Sequence, residues 1–78
     1  MTDLTKLSVD ERYEQLKKFV GNIVKILYDY PDLPDGQIGP VEKQGYLSSI
    51  ESTTFSFRFD NGTEANLSIE GVLQISSV

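Results

Sequence analysis

The sequence predicts an α+β domain in which one N-terminal amphipathic helix packs on a four-stranded antiparallel meander. Three observations predict it. Apolar residues from Tyr13 to Tyr30 recur at steps of three and four, the spacing of one helix face. Beyond residue 54 the period drops to two, with Phe55, Phe57 and Phe59 alternating with Ser56 and Arg58. Between the two alternating runs stands Asn61-Gly62, the pair that most readily takes the positive backbone angles of a tight hairpin.

Residues 1–7 read as a loose start. Ser8-Val9-Asp10-Glu11 then fits a capping box, in which a serine oxygen and a glutamate satisfy amide groups left unpaired at a helix start. The spacing predicts a helix over 9–30, with Tyr13, Leu16, Val20, Ile23, Leu27 and Tyr30 on its apolar stripe and Phe19, Val24 and Ile26 on its flanks. The resulting arc is about 160° wide at roughly 100° per residue. Gly21 falls on the polar side, where it costs about 1 kcal/mol relative to alanine. Pro31 ends the helix by disfavouring helical geometry in the residue before it.

Residues 31–40 hold all 3 prolines and read as a turn-rich connector inside a single domain of 78 residues. Strands follow over 41–50, bent at Gly45, along the Phe55–Phe59 run, along Ala65, Leu67 and Ile69, and over 72–77 after a turn at Gly71. The three phenylalanines with Ala65, Leu67 and Ile69 form one apolar sheet face for the helix stripe to cover.

Composition restricts the chemistry. The chain contains no histidine and no cysteine, so the commonest general base and the thiol nucleophile are both missing, and no catalytic residue is assigned. No metal-ligand set or cofactor motif is present: Asp29, Asp32 and Asp35 recur every third residue, whereas a calcium loop needs oxygens at every second position. Their expected role is to shape the proline-rich turn. Net charge is −5, with 5 acids and 5 bases up to residue 31 and 7 acids against 2 bases beyond it. Such a surface forgoes phosphate attraction, so neither duplex DNA nor an anionic membrane is an expected partner. The N-terminal residues lack the basic start and apolar run of a secretory signal, which makes a cytoplasmic location the expectation.

A short chain without disulfide or metal staples has oligomerisation left to it, and a homodimer through Phe19 and Ile26 on the helix shoulder is the expected form. Tyr28, Tyr30, Leu33 and Ile38 surround the prolines and could present an apolar patch on a stiff loop, and Glu64 and Glu70 add acidic character. The functional expectation is a small non-enzymatic protein-interaction module, such as a subunit of a complex or an acidic inhibitor of a protein with a basic surface. Two alternatives are a single-stranded nucleic-acid binder on a small sheet and a ligand or ion sensor using the 31–40 loop.

The segments Gly45-Tyr46-Leu47-Ser48-Ser49-Ile50-Glu51 and Ile69-Glu70-Gly71-Val72-Leu73-Gln74-Ile75 look like the two motifs of Sm-like RNA-binding proteins. That family holds RNA with an Asp-x-x-Met-Asn element and an Arg-Gly pair. Here Ser52, Thr53 and Thr54 follow Glu51, and Glu70 stands in place of the arginine. What the resemblance implies is shared small-sheet architecture without the RNA-contacting groups.

Overall fold

The computed structural model describes residues 2–78. Helix α1 runs over Val9–Lys17, and six strands follow the order β1 (Thr2–Asp3), β2 (Ile23–Tyr28), β3 (Val41–Ile50), β4 (Thr54–Phe59), β5 (Glu64–Ser68) and β6 (Val72–Ser77). A 3₁₀ turn at Ile69–Gly71 joins β5 to β6. All pairings are antiparallel, and the spatial order is β1-β6-β2-β3-β4-β5. The α+β class with one helix and an antiparallel sheet is therefore present, with six strands in place of four and a helix of 9 residues in place of the expected 9–30.

The helix begins as its sequence dictates. Ser8 Oγ accepts the Glu11 amide at 3.2 Å and Glu11 Oε1 accepts the Ser8 amide at 3.0 Å, a complete capping box. It ends at Lys17, much earlier than the apolar spacing suggests; a tight turn of i→i−3 bonds carries residues 18–20, and Gly21 then adopts φ 90°, a conformation that other residues pay to enter. The Gly21 amide turns to the Leu47 carbonyl at 2.8 Å and delivers the chain into the sheet. The segment Ile23–Tyr28 is then a strand whose Val24, Ile26 and Tyr28 are buried while Ile23 is exposed. It is rich in β-branched and aromatic side chains, and two flanking strands supply the ladder that outweighs its helix-like spacing.

Residues 2–7 are not loose. Thr2 and Asp3 pair with Ile75 and Gln74, and Leu4 is fully buried. The Asn61-Gly62 hairpin forms, but only Gly62 takes a positive φ, at 87°. Gly62 N–H donates to the Phe59 carbonyl at 2.9 Å and Phe59 N–H donates to the Thr63 carbonyl at 2.8 Å, giving a three-residue loop with glycine at the left-handed position.

The sheet curls upon itself. Tyr28 on β2 accepts the Ser68 amide of β5 at its Oη, 2.8 Å away, although two strands separate them in the sheet. The core lies inside this curl: Phe55 and Phe57 are buried with ring centroids 6.0 Å apart in an edge-to-face pair, and Leu47, Leu67, Ile69, Val72 and Ile75 pack with them. Phe59 and Ala65 are half-buried at its margin. The helix shares this core through Leu16, and its closest backbone approach is to the 3₁₀ turn and β3. It closes one end of the curl.

Arg12 fastens that closure. Its guanidinium is almost fully buried, and it donates to four backbone carbonyls: Leu7 from Nε at 3.1 Å, Thr5 from Nη2 at 3.2 Å, and Glu70 and Val72 from Nη1 at 2.6 and 3.3 Å. Among the described residues no buried side-chain nitrogen or oxygen is left without a partner. No helix among them is long and apolar enough to cross a membrane.

Candidate interaction groove

Strand β3 has 10 residues and β4 has 6, and their register leaves the first part of β3 uncovered. Pairing with β4 stops at Gly45, opposite Phe59, so Val41–Gln44 have β2 on one side and no strand on the other. Gly45 sets this limit. A Cβ there would strike the Arg58 carbonyl oxygen and approach the Phe57 ring to 2.7 Å, so glycine is what permits the close crossing of β3 and β4.

The direction of the free backbone groups follows from strand alternation. Leu47 exchanges bonds with the β2 side, donating to Asn22 at 3.1 Å and accepting from Gly21 at 2.8 Å. Gly45 and Lys43 therefore also face β2, while Tyr46, Gln44 and Glu42 face the opposite way. Tyr46 meets Arg58 of β4. Gln44 and Glu42 have no strand opposite them, and the chain beyond Phe59 turns away into the hairpin loop.

The space so left is an open groove of about 610 Å³. Glu42, Lys43 and Gln44 form one wall, Phe59 to Asn61 with Thr63 the other, and Pro34 with Asp35 close one end. Lys25 reaches in from β2. Lys43 Nζ is bonded to Asp35 Oδ2 at 2.6 Å, which pins the connector to β3. That ammonium, together with the Gln37 amide, holds the Asp35 carboxyl below the usual carboxylate range. Lys25 Nζ stands 3.8 Å from Glu42 Oε1 with both side chains well exposed, a loose pair that water competes with.

A second cluster anchors the connector from the other side. Tyr28 donates its hydroxyl proton to Asp32 Oδ1 at 2.6 Å, and Ser68 Oγ donates to Asp32 Oδ2 at 3.3 Å. Burial, and then the Asp32 carboxylate, push the Tyr28 phenol well above its ordinary range, so it remains a neutral donor. Among the described residues no three acidic side chains gather where they could share a metal ion.

The residues proposed from sequence as an interaction surface separate into two groups. Ile26, Tyr28 and Leu33 are buried in the core and cannot present a surface, while Phe19 is half-buried and packs against the core. The helix shoulder on which a helix-pair dimer was expected does not exist, because Ile26 belongs to β2. Tyr30 and Ile38 are exposed, the latter by 83 %. Glu64 is exposed on β5, bonded by Arg58 Nε and Nη2 at 3.0 and 2.7 Å, and Glu70 is exposed on the 3₁₀ turn. None of the eight lines the groove. Phe59, Asp35 and the Asn61-Gly62 turn each carry a local sequence signal, but nothing in the sequence brings them together, because the groove is created by the register of β3 against β4.

Comparison with family models, with curated proteins and with solved structures finds no match to this chain.

Proposed function

We propose that this protein is a non-enzymatic protein-interaction module that binds an extended segment of a partner along the uncovered edge of β3. The observation that carries the reading is the pair of residues Glu42 and Gln44, whose backbone groups face an open groove with no strand opposite them. Unpaired strand edges are templates for another strand, and proteins that do not use them cover them or blunt them. Here the groove adds walls on three sides, so a bound segment would be held by backbone bonds along β3 and by side-chain contacts with Phe59 and the 60–63 turn.

The alternatives have less support. A single-stranded nucleic-acid binder would stack bases on exposed aromatic side chains, yet Phe55 and Phe57 lie inside the curl and the chain carries net charge −5. A sensor built on the 31–40 loop would need free ligands there, and Asp32 and Asp35 are engaged by Tyr28, Ser68, Lys43 and Gln37. The outer edge of β5 is also unpaired along Glu64 and Asn66, which makes it the surface on which self-association would now rest.

A proline substitution tests the reading. Gln44→Pro removes an edge N–H that faces the groove and leaves the bonds to β2 in place, so the protein should fold with a circular dichroism spectrum like that of the parent. Binding of an extended peptide should fall by about tenfold or more. A proline variant that folds and binds such peptides as well as the parent would remove the edge from consideration.

A further inference from the structure

The two faces of the groove differ in chemistry, and that difference specifies the segment it fits. Side chains alternate along β3, so Glu42, Gln44 and Tyr46 share the outer face, while Lys43, Gly45 and Leu47 share the inner one. Any strand added to this edge places its own residues on the same two faces, directly opposite these positions and about 5 Å away. The Glu42 carboxylate stands on the outer side, held only by the loose contact to Lys25, and exposed Asp60, the first residue of the hairpin turn, borders the groove and makes no ion pair among the described residues. On the inner side the margin of the core is open at Phe59, whose ring lies 5.1 Å from that of buried Phe57. The one tightly held charge pair in the groove, Lys43 with Asp35, is internally neutralised.

Resting on the strand-addition reading above, we infer that the occupant of the groove is an extended peptide segment of basic–apolar–basic pattern, its two cations meeting Glu42 and Asp60 and its apolar residue covering Phe59. The charge of the whole chain acts in the same direction. At −5 it attracts cationic segments from beyond contact distance and repels acidic ones, and the net negative charge lies beyond residue 31, where 7 acids face 2 bases and most of the groove is built. An acidic segment would place carboxylates against Glu42 and Asp60, a like-charge opposition across a strand pair. A segment with the same charges in one block would turn a cation toward Phe59 and lose the apolar contact.

The test titrates ¹⁵N-labelled full-length protein with three end-capped peptides: one with an Arg-Val-Arg-Val-Arg core, one with Glu-Val-Glu-Val-Glu, and one with the first composition rearranged as Val-Arg-Arg-Arg-Val. The alternating basic peptide should bind about tenfold or more tightly than either control and should shift the amides of Glu42 and Gln44. Its affinity should weaken as salt is raised. The double variant E42Q/D60N, both positions being exposed, should melt at the parent temperature and bind that peptide about fivefold less well. Equal binding of the acidic or rearranged peptide, with the same two amides moving, overturns the basic–apolar–basic assignment while leaving strand addition standing. If no peptide moves those amides, strand addition itself fails. Basic binding that E42Q/D60N does not weaken would come from net charge alone and also overturns the assignment.

Discussion

Arg12 Nη1 lies 2.6 Å from the carbonyl oxygen of Glu70, a bond that ties the helix to the 3₁₀ turn across 58 residues of sequence. With its bonds to Thr5, Leu7 and Val72, the guanidinium gathers the N-terminal segment, the helix and the β5–β6 connection around one planar group. No carboxylate takes part. The charge is balanced by carbonyl dipoles, an arrangement that suits the five-donor fork of arginine and not the point charge of lysine.

Arg12→Ala would therefore take this donor from one buried and three part-buried carbonyls and remove packing from the closed end of the curl. Expected destabilisation is about 3 kcal/mol, in the range for a buried hydrogen-bonding group whose partners are left unpaired. Arg12→Lys should recover only a minority of that loss. Urea denaturation followed by circular dichroism measures both, and an alanine variant within about 0.5 kcal/mol of the parent would show that the clasp does not hold the end closed.

Gly45→Ala is expected to be costly for a different reason. The added methyl meets the Arg58 carbonyl and the Phe57 ring, so β3 and β4 must separate at the point where the groove begins. A loss of about 3 kcal/mol is expected, at the upper end of overpacking costs. Gly36→Ala, where no atom lies within 4 Å of the new methyl, isolates the backbone cost of a positive φ and should lose less. Equal effects in the two variants would contradict the close crossing at Gly45.

Acid should loosen the molecule at identifiable places. Asp3, Glu11 and Asp35 are each held below their ordinary carboxylate range: Asp3 by the Thr5 amide and hydroxyl, Glu11 by the Ser8 amide and hydroxyl, and Asp35 by Lys43 and then the Gln37 amide. A carboxyl with a lowered folded-state value favours the fold above its unfolded value and loses that contribution as pH falls through the folded value. The melting temperature should thus be level through the mildly acidic range and decline below about pH 4. Protonation of Asp35 also weakens the Lys43 latch at the end of the groove. Thermal melts from neutrality to about pH 2.5 test this, and Glu11→Gln, which keeps the capping oxygen without the charge, should shallow the decline. A melting temperature that rises on acidification has the wrong sign for the account.

What the sequence revealed about this fold was what local chemistry controls. Ser8 and Glu11 sit within one turn of each other, Gly62 needs only its own backbone freedom, and the Phe55–Phe59 alternation belongs to a strand with one buried face. Strand β2 was misread because Val20, Ile23, Leu27 and Tyr30 fit a helix period while Val24, Ile26 and Tyr28 fit a strand period over the same residues. Partner strands on both sides decided between them. Gly21 was the available signal, since a glycine inside a helical pattern can mark a change of direction as readily as be tolerated within the helix, and here it follows the turn that leaves α1. Strand β1 is two residues long and exists only against β6, and the carbonyls that receive Arg12 come from the far end of the chain. The groove was illegible for the same reason: it is an offset between two strands, which no single segment encodes.

Amide hydrogen exchange on the free protein and on its complex with an alternating basic peptide tests the open edge most directly. Along residues 42–45 the free protein should show an alternating pattern, with Lys43 and Gly45 protected by β2 while Glu42 and Gln44 exchange rapidly. Glu42 and Gln44 should become protected when the peptide is bound. Uniform protection across all four amides in the free protein, or no slowing at Glu42 and Gln44 in a complex that demonstrably forms, would contradict the open edge.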